Sequence, residues 1–400
     1  MQLIEQINQI LENEEKRQLS SISLIASENI TSKAVRNACS SVLTNKYAEG
    51  YPNNRYYSGC EYADAIELLC IELVKKIFKC KFANVQPHSG SQANQAAFYA
   101  LLEPGDTILS LSLKAGGHLT HGAPVSSISK TYKIVNYSLN NGVIDMNEVA
   151  AIAKQYKPRL IITGASAYTR NWDWKAFKKI ANENNAYLMA DIAHIAGLIA
   201  GNAHESPVEY ADIITSTTHK TLRGTRGGII LWNDENLTDK INKAIFPAVQ
   251  GGPLMHIIAA KAAGFAENLD PSFAEYAQNV INNAKILEKR IKAANGRLIS
   301  NGTDNHLMIM DCQSFQMNAK ETEQLLKDAN VFVSVSALLE DTSWKNPNGI
   351  RIGTPYITTL GVTDITEFAE LFVKTLTTKN PTDLKKYVIY TANKLYPKFL

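Results

Sequence analysis

The chain predicts an α/β protein: a large, mostly parallel sheet domain followed by a smaller α+β domain at the C-terminal end. Three observations carry that expectation. Apolar runs at 159–163, 186–191 and 213–215 alternate with helical patterns at 146–155 and 174–183, as a parallel sheet with covered faces requires. Polar residues follow the C-terminal ends of the strands, namely His118, Ser166, Asp191 with His194, and His219 with Lys220. In an open α/β sheet that edge holds the ligand. Finally, 400 residues exceed what one core ordinarily holds. The expected division is a helical arm over 1–22, a large ligand-binding domain over 23–275 and a small α+β domain over 276–400.

Taken in order, Leu3, Ile4, Ile7, Ile10 and Leu11 recur at helical spacing, so residues 3–18 read as an amphipathic helix packed on something larger. After the run ISLIASEN, Thr31-Ser32 can cap a helix containing Val35. Residues 43–61, LTNKYAEGYPNNRYYSGCE, hold four tyrosines and keep neither the strand nor the helix period, which predicts a long ordered loop. Helical spacing returns at Ile66, Leu69, Leu73 and Ile77. In PHSGSQANQAAFYALL the residues Ser89, Gly90 and Ser91 open a helix. Free backbone N–H groups, two hydroxyls and a glycine there form a cup suited to a phosphate. A strand is predicted over 106–113, followed by the glycine-containing stretch KAGGHLTHG. Past Pro247, AVQGGPLMH is another glycine loop, and helical patterns from 257 to 294 lead to the C-terminal part. There, strands at 306–311 and 331–335 mix with helices at 320–329 and 366–376.

The reactive centre is the stretch DIITSTTHKTLRGTRGG. Ile213-Ile214-Thr215 hands over to a polar turn, and a glycine-rich return leads into a second apolar run. A lone loop lysine is ordinarily a solvated charge. Lys220 instead lies at the mouth of a turn between two buried strands, behind Ser216, Thr217, Thr218 and His219, where lost water would lower its pKa and suit it to a Schiff base. Such chemistry also needs an acid for a pyridine nitrogen, for which Asp191 is a candidate. A ring-stacking group, His118, and a carboxylate-binding cation, Arg351 in NGIRIGTP, are also present.

Composition narrows the class. With 45% hydrophobic and 20% charged residues and a net charge of +3, neither nucleic acid nor an anionic membrane is an expected partner. No apolar run is long enough to span a bilayer, and the glutamate-rich N-terminus does not read as a secretory or transit signal, so the expected location is the cytoplasm. Cys39, Cys60, Cys70, Cys80 and Cys312 form no C-x-x-C pair. Neither a disulfide framework nor a metal site is expected.

The lysine stretch is similar to the cofactor-lysine motif of serine hydroxymethyltransferase, usually written TTTTHKTLRGPRGG, with Ser216 and Thr225 as departures. NVQPHSGSQAN, GGHLTHG, LIITGASAY, DIAHIAGL, QGGPLMH, GTDNHL and GIRIGTP also resemble that family, in the family's order, from about Leu24 to Pro355. The resemblance implies a fold-type-I pyridoxal-phosphate enzyme. Lys220 would carry pyridoxal 5'-phosphate as an imine, Ser89, Gly90 and Ser91 its phosphate, and Asp191 its ring nitrogen. His118 would stack on the ring, with Ser166 and His194 near its 3'-oxygen and Thr217 and His219 beside the lysine. Arg351 and Ser27 would bind the carboxylate of serine or glycine, and Tyr56, Leu113 and Leu119 would complete the substrate site. Tyr47, Glu49, Tyr57, Gly251 and Gly252 would come from the second subunit of a homodimer, or within a tetramer, and Glu49 would shuttle the hydroxymethyl proton. Tetrahydrofolate is the implied cosubstrate.

Departures cluster on the folate side. Ser334-Val335-Ser336 replaces an Asn-Lys-Asn run, Ala115 a histidine, Leu360 an arginine, and Ala248 the glycine of FPG. They motivate an alternative, a folate-independent aldolase or transaldolase acting on β-hydroxy-α-amino acids. A catalytically idle homologue is a third reading, disfavoured by the intact set Lys220, Asp191, Glu49 and Arg351.

Overall fold

The computed structural model describes residues 1–343 and 345–399. They divide into two compact units, Thr31–Gln278 and the pair Met1–Ile30 with Asn279–Leu400. The boundaries expected from sequence lay at 22/23 and 275/276.

The larger unit is built on seven strands: β1 (Phe82–Asn84), β2 (Thr107–Leu111), β3 (Lys133–Tyr137), β4 (Leu160–Thr163), β5 (Tyr187–Asp191), β6 (Ile213–Thr217) and β7 (Gly228–Trp232), in the spatial order β1-β7-β6-β5-β4-β2-β3. All neighbours are parallel except that β7 runs antiparallel to both β6 and β1. The central strands β4, β6 and β7 carry isoleucine or threonine in their apolar runs and are buried along their whole length. Strand alternation then selects one face, where Ile108, Leu160, Ile162, Met189, Ile213, Ile230 and Trp232 pack with Ala93, Ala96, Ala97 and Phe98 of the helix Gly90–Leu101. Burying Phe98 alone contributes roughly 1.5–3 kcal/mol. That face holds the helix start close to the C-terminal ends of the central strands.

The tyrosine-rich stretch, expected as a long ordered loop, carries short regular elements as well. It contains a short helical turn, Val42–Asn45, and a small hairpin pairing Gly50–Tyr51 with Asn54–Arg55. Buried Arg55 anchors it, bonding to Asp64 at 2.8 Å, Glu67 at 2.6 Å and the carbonyls of Ala48 and Gly50 at 2.9 Å.

The other unit holds a four-stranded antiparallel sheet of β8 (Arg297–Leu298), β9 (Leu307–Asp311), β10 (Ser334–Ser336) and β11 (Gly349–Gly353), ordered β8-β9-β11-β10. The N-terminal segment belongs to it: Ile22 and Ser23 pair in parallel with Val331 and Phe332, and Gly353 N–H donates to Leu24 O at 2.7 Å. The first helix, Gln2–Leu19, buries none of its residues, and the stripe Leu3, Ile4, Ile7, Ile10, Leu11 stays exposed. Among the described residues nothing buries this stripe, so the packing expected of it is not seen there. Among the described residues no helix is long and apolar enough to cross a membrane, and no cluster of potential metal ligands occurs.

Candidate active site

At the end of β6 the backbone closes a tight turn around the lysine. Thr218 N–H donates to Gly227 O, Arg223 N–H to Lys220 O and Gly224 N–H to Thr218 O, while the Thr218 hydroxyl bonds Thr225 O at 2.6 Å. Arg223 takes a left-handed φ of 59° and stacks its guanidinium 4.4 Å from the Tyr276 ring centroid, a contact that steadies an otherwise strained corner. Thr221 joins the turn to the segment after β5, donating to His194 O and accepting from Gly197 N–H. Gly197 is required there, since a Cβ would lie 2.1 Å from Thr221 O. Lys220 is only 8% exposed. Burial first, then the charges of Arg226 and Lys220, lowers His219 to about 3, so its imidazole is neutral at physiological pH.

One strand over, Asp191 ends β5 and accepts three hydrogen bonds: from Ala193 N–H at 3.1 Å, Asn94 Nδ2 at 2.8 Å and His121 Nε2 at 2.9 Å. Burial pushes its carboxyl up. The His121 hydrogen bond and the charges of His121, His118 and Lys220 outweigh that and hold it well below the usual carboxylate range. The network continues outward. Asn94 Nδ2 donates to the Thr120 hydroxyl, which lies 2.8 Å from His118 Nδ1, and the Thr215 hydroxyl donates to Asn94 Oδ1 at 2.6 Å. Since His118 Nδ1 accepts from Thr120 N–H, His118 carries its proton on Nε2 when neutral. Asn94 and His121 were not among the residues expected from sequence. Their only signals are their spacings, Asn94 one helical turn after Ser91 and His121 three residues after His118.

The helix Gly90–Leu101 starts at Ser89, whose hydroxyl oxygen accepts from Gln92 N–H at 3.1 Å. The amides of Gly90 and Ser91 precede Ala93 N–H, the first amide to bond within the helix, through Ser89 O, and so face out of the helix end. A Cβ on Gly90 would lie 2.7 Å from Thr217 Cγ2, so glycine lets this helix end sit directly on the strand that carries the lysine. Ser166 lies after β4, its amide bonded to Gly116 O at 2.8 Å, and His194 is buried. These residues fit pyridoxal phosphate: helix-end amides suited to an anion, an aspartate held in its ionised form and a buried lysine, all at one sheet edge.

A second cluster gathers residues that the resemblance assigns to a neighbouring subunit. Tyr47 and Tyr57 pack edge to face with centroids 5.3 Å apart, and their hydroxyls donate to Glu49 at 3.3 and 3.2 Å. A Cβ on Gly251 would come 3.3 Å from Glu49 Oε1, and one on Gly252 3.1 Å from the Tyr47 ring. Tyr47, Tyr56, Tyr57 and Leu119 are exposed, whereas Leu113 is half-buried. In the other unit, Arg351 sits on β11 opposite Ser334, and burial lowers its guanidinium to about 10. Ser27 follows Ala26, whose Cα would lie 2.5 Å from a Cβ on Gly353. The two residues assigned to one carboxylate thus lie in one unit.

A mostly parallel sheet whose C-terminal edge carries a buried lysine, an ionised aspartate and a helix-end anion cradle defines a pyridoxal-phosphate enzyme of fold type I. Comparison with known proteins narrows the class. The family profile described as serine hydroxymethyltransferase matches residues 2–372. Proteins of that name are similar to this chain: one from Orientia tsutsugamushi (strain Ikeda) is 53% identical over 362 residues, covering 90% of this chain and 85% of the relative. Another from Limosilactobacillus reuteri (strain DSM 20016) is 52% identical over 381 residues, covering 93% and 92%. A third, from Coprothermobacter proteolyticus, is 51% identical over 377 residues, covering 92% and 91%. The chain belongs to the serine hydroxymethyltransferase family, transferases that depend on pyridoxal phosphate and use tetrahydrofolate as cosubstrate.

Proposed function

We propose that the protein catalyses the reversible conversion of L-serine and tetrahydrofolate to glycine and 5,10-methylenetetrahydrofolate. The observation that carries this reading is the three-donor clamp on Asp191 beside the lysine turn, which favours the carboxylate form of a side chain only 10% exposed. Pyridoxal phosphate, when bound, withdraws electrons from the substrate α-carbon. Lys220 is assigned to hold it, Ser89, Gly90 and Ser91 its phosphate, and Asp191 a proton on its ring nitrogen. His118 is assigned the ring face, and Ser166 and His194 the 3'-oxygen. Arg351 and Ser27 are assigned the substrate carboxylate. Glu49, bonded by Tyr47 and Tyr57, is assigned the proton of the hydroxymethyl group.

We further propose a homodimer in which the Tyr47–Glu49–Tyr57 cluster and the Gly251-Gly252 loop complete the partner's site. Support comes from the exposure of those tyrosines and from the uncovered apolar stripe of the first helix. The cytoplasm is the proposed location.

One observation favours a second reading. Ser334-Val335-Ser336 forms a short strand beside Arg351, and the Ser334 hydroxyl has no hydrogen-bond partner among the described residues. Serine cleavage with and without tetrahydrofolate decides between them. Strong folate dependence supports the transferase, and equal rates support the folate-independent aldolase.

A further inference from the structure

Lys261, on the helix Met255–Asn268, is 1% exposed, and its ammonium donates to three carbonyls: Val85 O at 2.7 Å, Pro87 O at 2.9 Å and Gly228 O at 2.9 Å. A lysine ammonium has three N–H groups, so all of its donors are used. The carbonyls belong to the two backbone segments that meet at the helix start. Residues 85–87 run directly into Ser89. Gly228 opens β7, sends its own N–H to Pro87 O, and would put a Cβ 2.3 Å from Ser89 O. Gly227 is equally tight against the lysine, since a Cβ there would lie 2.3 Å from Lys261 Cε.

We infer that Lys261 is a positioning residue for the phosphate end of the cofactor site: it ties both backbone segments together and so fixes where Ser89, Gly90 and Ser91 present their donors. The inference rests on reading residues 89–91 as the phosphate cup. The ammonium gives one donor to each of three converging carbonyl oxygens, and an apolar side chain of equal length would leave them facing one another without a donor. The carbonyls would then turn apart and carry Ser89 with them. Around the ammonium stand Glu67 and Cys70 of the helix Glu61–Phe78, and the imidazole of His88 feels its charge. Burial outweighs the pull of Cys70 and Glu67 and lowers Lys261 to about 8. Above that pH a neutral amine offers two N–H groups to three oxygens, and the brace loosens.

The test compares binding of pyridoxal 5'-phosphate with binding of pyridoxal, which has no phosphate, to the full-length chain freed of cofactor, followed by absorbance. Lys261→Met should weaken the phosphate ester by about ten- to a hundredfold, the range for losing a charged hydrogen bond, and pyridoxal by less than about threefold. An equal loss for both ligands would mean general structural damage and overturn the inference. Ser91→Ala tests the cup separately. If it lowers the preference for the ester and Lys261→Met does not, the cup stands and Lys261 has no such role. If neither variant alters the preference, the cup reading itself fails. Should Lys261→Met not fold, the wild-type chain still decides. Its preference for the ester should fall between about pH 7 and about pH 9.5, whereas a flat ratio overturns the inference.

Discussion

Asp191→Asn perturbs the centre of the site with almost no change in volume. The aspartate accepts on both oxygens, from Ala193 N–H on Oδ1 and from Asn94 and His121 on Oδ2. An asparagine has one acceptor oxygen and one NH2 group. With the NH2 toward Ala193, donor meets donor there, and with the NH2 toward Oδ2's place it opposes two donors. His121 offers no easy escape by changing tautomer, because its Nδ1 accepts from His118 N–H. At least one buried donor loses its acceptor, at about 1–3 kcal/mol, and the loss of a charged acceptor raises the total to roughly 2–4 kcal/mol. The ring nitrogen of the cofactor also loses the anion that keeps its proton in place. Cofactor affinity should fall by about tenfold and the turnover of serine by about a hundredfold or more. Absorbance titration and a coupled serine-cleavage assay read the two effects. A variant with turnover and cofactor affinity within about threefold of wild type would refute the role given to Asp191.

Four further outcomes are expected. Glu49→Gln should bind the cofactor normally yet lose about 10²–10⁴ in serine cleavage, as removal of a proton shuttle does, measured by titration and turnover together. Gly90→Ala should weaken cofactor binding through the 2.7 Å clash with Thr217 Cγ2, and adding Thr217→Ser, which removes that methyl, should restore most of the affinity. Folding lowers His219 from 6.5 to about 3, so the unfolded chain takes up the proton first as pH falls. The stability held by the neutral ring is fully present above about pH 6.5 and is lost on acidification toward about pH 3, by roughly 3–5 kcal/mol. His219→Asn should flatten that part of the stability profile in urea titrations at neutral and acid pH. Arg351→Lys should raise KM for serine by about tenfold or more while leaving cofactor affinity unchanged, because an ammonium does not reproduce the paired N–H groups of a guanidinium.

Much of this molecule was legible in its order of residues because the forces concerned act over a few positions. The alternation of buried strands and amphipathic helices, the cap at Ser89, and the turn that carries Lys220 follow from side-chain period, hydroxyl capping and glycine placement. The motifs around those residues also identified the family. What tertiary structure decided are meetings between distant parts of the chain. Asn94 and Asp191 are 97 residues apart, and no local pattern marks Asn94 as the partner of an aspartate on another strand. Lys261 reads as one more helical lysine until it is found buried among carbonyls 174 and 176 residues away. Likewise the pairing of Ile22–Ser23 with Val331–Phe332 brings Ser27 into the unit of Arg351. Neighbours along the chain impose their geometry directly. These distant contacts follow only when the sheet order and the close-packed glycines have placed the backbones against one another.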